Sequence, residues 1–359
     1  MPYQERLIAL FDKPEWYKEM VPTTQVPAVL FHEWDGDDSA NSRKLVWESA
    51  DIMKALDEAF PDTVQLVHDT EEYKAAEEAI AQITKLGFEF SRAQSNSTCP
   101  AEELKEKRQA FLSALDQLDQ SLEASGGPFR LGSEFSGIDA LMVPLLERWR
   151  YQLPLKSVSP VDMLEGRPFV QKWFEGMESY APYSDRVMGD RYSWVGANAL
   201  FVNYFGGTDE EIAKSENTAL ELIETFKPES AQVEIKCEER FALEAARKIV
   251  GNHEGIVKDC SNKEPKSQKF IIRSQDEDNA DHVLQFAVQL LLEGDDAISS
   301  AFSKPITPAL EDMSKEQKDD AVMAAKTVAS RLCVPRDMSA PAANILRAVL
   351  MIVSDRLTE

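Results

Sequence analysis

Lys13, the pair Val26-Pro27 and the pair Glu48-Ser49 are the residues of this chain whose types and order suit a specific chemistry. They fit the binding of an extended, dianionic, peptide-like ligand. Such a ligand needs backbone hydrogen bonds along its length, a helix N-terminus for one carboxylate and a cation for the other. A proline held cis at a strand entry exposes the N–H and C=O of the residue before it, which then pair with the ligand as an added strand. Val26 and Pro27 suit that role. A serine opening a helix offers its hydroxyl and the unpaired N–H groups of the first turn to a carboxylate, which suits Ser49. Glu48 beside it suits an ammonium group, and Lys13 is left for the second carboxylate.

The elements that must position these residues are legible around them. Residues 4–10 (QERLIAL), 28–31 (AVLF) and 44–47 (KLVW) read as strands, the last two separated by a turn-rich loop at 35–39. From Ala50 to Ala59, apolar residues at 52, 55, 56 and 59 follow the helical period, and Pro61 ends the run. Residues 62 to about 205 read as all helical, with long helices over 70–94 and 101–124, a third starting at Ser136, and shorter ones near 168–178 and 190–205. Ser136-Gly137-Ile138-Asp139 has the spacing of a capping box, in which Ser136 caps the third N–H and Asp139 reaches back. That reading is structural. Pro144 inside the third helix predicts a kink. Beyond Gly206-Gly207, amphipathic helices are predicted at about 208–226, 238–258, 278–293, 316–333 and 340–357, with a short strand at 269–273. The predicted domains are therefore 1–62, 63–206 and 207–359.

The ordered set KPEWY, VPAV and then ES at the head of an amphipathic helix ending in DEAFP resembles the N-terminal domain of glutathione S-transferases, nearest to the omega-like classes. The resemblance implies a fold of class α/β plus all-α. Its parts are an incomplete thioredoxin-like N-terminal domain, an all-helical C-terminal domain over 63–206 and an extra, mostly helical third region. It implies that Lys13 binds the glycyl carboxylate of glutathione, that Val26 and Pro27 hold the cysteinyl backbone, and that Glu48 and Ser49 hold the γ-glutamyl end. Phe88, Phe90, Arg92, Trp149 and Tyr151 are candidates for the pocket of a second substrate, small and hydrophobic or thiol-reactive. The omega-like pattern places a catalytic cysteine on a strand and helix that precede the segment at 4–10, so the catalytic residue is expected upstream of Met1. Two functions follow as expectations. One is a transferase that moves glutathione to or from an electrophile or disulfide. The other is a non-catalytic scaffold or binding protein that has lost its nucleophile. A homodimer is a further expectation of the family pattern.

Composition narrows the partners. The 359 residues carry 39 basic and 63 acidic side chains, a net charge of −24, and such a surface repels phosphate backbones and anionic membranes. No apolar run reaches the roughly 18 residues that a membrane helix needs. Cys99, Cys237, Cys260 and Cys333 show neither a CxxC pair nor zinc-ligand spacing, so no metal site is expected and a reducing, cytoplasmic setting is. His32, His68, His253 and His282 stand apart from any metal-binding spacing and read as solvated or core residues.

Overall fold

The structure is a computed structural model that describes residues 3–6, 8, 13–32, 43–95, 98–156, 158–204, 207–227, 235, 237–261 and 274–358. The chain divides into two compact units. One comprises residues 1–147 and 157–176, the other 148–156 and 177–359.

In the first unit, α1 (Glu15–Met20) starts directly after Pro14, whose carbonyl accepts from the Tyr17 N–H at 3.0 Å. Proline suits this flank because its missing donor is not needed there. Tyr17 and Val21 are buried, and the Tyr17 hydroxyl donates to the Gln25 carbonyl, which ties the loop before Val26 to the helix. β1 (Ala28–Phe31) and β2 (Lys44–Trp47) pair antiparallel, with Ala28 opposite Trp47 and Phe31 opposite Lys44. The predicted strand over 4–10 is not formed at residues 3–6 and 8, and its remaining residues lie outside those described, as does the loop at 35–39.

α2 (Ser49–Ala59) buries Ile52 and Ala55, as its apolar spacing dictates. It also buries Asp57, whose Oδ2 accepts from the backbone N–H groups of Leu66 and Val67 at 2.8 and 2.7 Å. This carboxylate therefore fixes the segment that leaves the helix. α3 (Glu71–Ser95) and α4 (Ala101–Ser125) pack together, with Phe90 stacked on Phe111 at a centroid distance of 5.8 Å. α4 ends on Gly126 at φ 68°, a left-handed cap that a glycine adopts without a Cβ penalty.

α5 (Gly137–Gln152) begins where the capping box predicts and runs through Pro144. The box itself is half of what its spacing suggests. Asp139 reaches back to the Ser136 N–H at 3.0 Å, but the Ser136 hydroxyl donates to the same carboxylate at 2.8 Å instead of accepting from the third N–H. Asp139 is fully buried and has two further donors, the Arg130 N–H at 2.8 Å and Trp173 Nε1 at 2.9 Å. A buried carboxylate is tolerated only when so satisfied, and this one has recruited a loop and α6 (Pro168–Ser179) to do it.

The second unit is helical among its described residues. It contains α7 (Ala181–Ser184), α8 (Arg191–Tyr204), α9 (Asp209–Glu224), α10 (Glu239–Gly251), α11 (His253–Ser261), α12 (Glu277–Leu291), α13 (Ala297–Ser303), α14 (Pro308–Glu311), α15 (Lys315–Arg331) and α16 (Ala340–Thr358). The single helix predicted over 238–258 is two, broken at Asn252, and the predicted strand at 269–273 lies outside the described residues. α9 and α15 open on complete capping boxes, Thr208 with Glu211 and Ser314 with Gln317.

α16 is apolar around nearly its whole circumference, which is the pattern of a central, buried helix. Its one buried cation, Arg347, pairs with Asp190 and donates to the Leu332 carbonyl at 2.8 Å and the Ser193 hydroxyl at 3.1 Å. Among the described residues, no helix is long and apolar enough to cross a membrane, and no group of three or more His, Cys, Asp or Glu side chains could hold a metal ion.

Candidate functional site

The register of the hairpin assembles the site. With Ala28 opposite Trp47, the Val26-Pro27 entry to β1 and the Glu48-Ser49 exit from β2 lie at the same end of the sheet. The Val26–Pro27 peptide bond is cis. Val26, Pro27, Glu48 and Ser49 are all exposed, and Lys13 is half-buried just before α1.

Glu48 sits at φ 72°, ψ 124°, a conformation that a residue with a Cβ rarely adopts. Strain of this kind persists where the surroundings demand it, and it clusters at ligand-binding positions. Here it turns the chain from β2 directly into α2. The Glu48 carbonyl already accepts the Ile52 N–H at 2.9 Å, while its side chain makes no capping bond. The first-turn N–H groups of α2 are therefore left uncapped by the residue that precedes them. They form, with the Ser49 hydroxyl, a set of donors at the positive end of the helix dipole that suits a carboxylate. Among the described residues Lys13, Glu48 and Ser49 take part in no ion pair or side-chain hydrogen bond, so their polar groups are available to a ligand.

Two residues that support this arrangement went unnoticed in the sequence. Tyr17, within KPEWY, anchors the approach to Val26 through its bond to Gln25, and burial raises its phenol above the usual value. Asp57 holds the far end of α2. A tyrosine three residues into an amphipathic turn and an acid on the apolar face of a helix were the available signals.

The second-substrate candidates are distributed over both units. Phe88 and Arg92 stand one turn apart on the exposed face of α3, whereas Phe90 is fully buried. Trp149 is buried in the second unit, and Tyr151 lies under the Arg150 guanidinium, 5.3 Å from its ring centroid. Cys99 follows α3 in the loop that leads to α4.

Residues 1–59 match the family model for the glutathione S-transferase N-terminal domain. Protein IN2-1 homolog B of Oryza sativa subsp. indica is 30% identical over 180 residues, covering 50% of this chain and 66% of that protein. Glutathione S-transferase L1 of Arabidopsis thaliana is 28% identical over 200 residues, covering 55% of this chain and 72% of its own length. Among solved structures, a unique trimeric glutathione transferase of Leishmania, TDR1, overlaps 90% of this chain and 74% of its own at a TM-score of 0.38 and 14% identity.

The class is thus a thioredoxin-like N-terminal domain joined to a helical remainder. Its first 59 residues match the glutathione S-transferase N-terminal domain, and over about half of its length the chain is similar to Protein IN2-1 homolog B and glutathione S-transferase L1. Its match to the rice protein stops just short of two thirds of that protein's length.

Proposed function

We propose that the chain binds glutathione at the hairpin end described above, and that it is an omega-like thiol transferase or reductase. The observation that carries this reading is the pairing of Ala28 with Trp47, which sets a strand entry with free backbone groups beside an uncapped helix N-terminus. In this reading the γ-glutamyl carboxylate lies on the first turn of α2 and the Ser49 hydroxyl. Glu48 takes the ammonium group, the Val26 backbone pairs with the cysteinyl residue, and Lys13 takes the glycyl carboxylate. All five residues bind and orient the thiol without making or breaking a bond. Phe88 and Arg92, exposed on α3, are the members of the proposed second-substrate set that a ligand can reach on the first unit.

A second reading is glutathione binding without turnover, in which the same five residues hold the ligand and the chain serves as a scaffold or binding protein. Cytoplasmic location and a homodimer remain part of the proposal on the strength of the free cysteines and the family pattern.

The test has two arms on the full chain. Retention on immobilised glutathione, released by free glutathione and weakened in Ser49→Ala, supports the site, and equal retention of parent and variant overturns it. Glutathione-dependent reduction of hydroxyethyl disulfide then separates the readings: turnover supports the transferase, and retention without turnover leaves the binding protein.

A further inference from the structure

Two separate ties hold the proposed glutathione site together. The pairing of Ala28 with Trp47 fixes Val26 relative to Ser49. Lys13 lies outside that hairpin, on the chain that enters α1, so its distance from Val26 depends on a second tie.

Tyr17 supplies it. Its backbone N–H donates to the carbonyl of Pro14, the residue after Lys13, at 3.0 Å. Its hydroxyl donates to the carbonyl of Gln25, the residue before Val26. One side chain, only 5% exposed, thus connects the neighbours of two proposed ligand-binding positions. The loop between them is tightly turned. The Tyr17 carbonyl accepts the Val21 N–H at 2.9 Å, and the Val21 carbonyl accepts the Thr24 N–H at 2.8 Å. Thr24 stands at φ 56°, a costly conformation for a β-branched residue, which persists where its surroundings enforce it. The Tyr17–Gln25 bond closes this turn from the helix side. The Tyr17 ring is held separately, edge-on to Trp16 at a centroid distance of 5.7 Å, a contact that a phenylalanine would keep.

On the glutathione reading given above, we propose that Tyr17 is a positioning residue that sets the spacing of Lys13 from Val26 and so makes the site selective for a ligand bearing the glycyl carboxylate. The γ-glutamyl and cysteinyl parts meet Ser49, Glu48 and Val26, whose relation the hairpin register fixes without Tyr17. The glycyl carboxylate meets Lys13, and a ligand of fixed length reaches both Lys13 and Val26 only while the brace holds them at that spacing.

Calorimetric titration of the full chain with glutathione and with γ-glutamylcysteine, the same compound without its glycine, tests this. The parent should bind glutathione about tenfold or more tightly than γ-glutamylcysteine, the worth of a charged hydrogen-bonding partner. Lys13→Gln should erase that preference. Tyr17→Phe should weaken glutathione binding about threefold to tenfold, the effect of one hydrogen bond, and leave γ-glutamylcysteine binding as it was. That retained binding also shows the variant to be folded. The double variant should bind glutathione no more weakly than Lys13→Gln alone, because the hydroxyl acts through the lysine's placement. Unchanged glutathione affinity in Tyr17→Phe overturns the proposal, as do equal losses for the two ligands or additive losses in the double variant. So does a parent that binds both ligands equally well. A parent that binds neither ligand contradicts the glutathione reading itself and removes this inference with it.

Discussion

Glu48 concentrates the tension of the proposed site in one residue. Its positive φ is costly for any side chain with a Cβ, yet glycine, which would relieve it, is not there. We expect Glu48→Gly to raise stability by about 1 kcal/mol and to weaken glutathione retention, because the carboxylate meant for the ligand's ammonium is gone. Chemical denaturation alongside glutathione affinity checks both signs, and a variant that loses stability and keeps its affinity contradicts the role. The cysteines divide in the same residue-level way. Burial pushes the Cys260 thiol up to about 12 and the Cys333 thiol up to about 11, while Cys99 and Cys237 are partly exposed. Both buried thiols are therefore neutral in the folded protein at ordinary pH, and alkylation at pH 8 should label Cys99 and Cys237 before them, as peptide mapping would show. Because folding raises these two pKa values from the ordinary 9.0, their contribution to stability is complete below pH 9. It is lost as pH climbs through 11 to 12.

At the scale of elements, periodicity carried most of the helices. Ile52, Ala55 and the apolar faces of α3, α4, α12 and α15 stand where a 3.6-residue period puts them, and Pro100 and Gly126 bracket α4 as local backbone preference dictates. The break at Asn252 was not legible, because the apolar residues on its two sides continue one pattern across it while the Asn252 N–H bonds back to Ile249. Nor was the network around Asp139. A sequence shows that an Asp stands three residues after a Ser; it does not show that Arg130 and Trp173 will bring their donors to it. The residues of the proposed glutathione site stand out in the sequence as an ordered set. The reason they meet, the register of β1 against β2, depends on tertiary pairing that no local pattern encodes. Removing the Asp139 carboxylate should therefore cost far more than a cap. Asp139→Ala leaves the N–H groups of Ser136, Arg130 and Trp173 unsatisfied in a buried place and should destabilise the first unit by about 3 kcal/mol or more. Ser136→Ala, which removes one hydroxyl, should cost roughly 1 kcal/mol. Urea denaturation ranks the two, and equal losses would show that the carboxylate is no hub.

At the scale of the whole molecule, the two units keep different chemistry. The first holds the strand-and-helix end proposed for glutathione, and the second is built around the apolar helix α16 with one buried ion pair. A buried pair of that kind is strongly destabilising when only one partner is removed, because the other charge stays behind without compensation. Asp190→Ala, which strands Arg347, should lower the stability of the second unit by about 3–5 kcal/mol, read as an earlier unfolding transition, and should leave glutathione retention as it was. The central claim concerns the other unit: glutathione is held on the N-terminal turn of α2. Direct calorimetric titration of glutathione into the full chain and into Ser49→Ala tests it. The account predicts saturable 1:1 binding by the parent, weakened about tenfold in the variant, as loss of a hydrogen bond to a charged group implies. No saturable binding by the folded parent, or identical affinity in the two proteins, would contradict it.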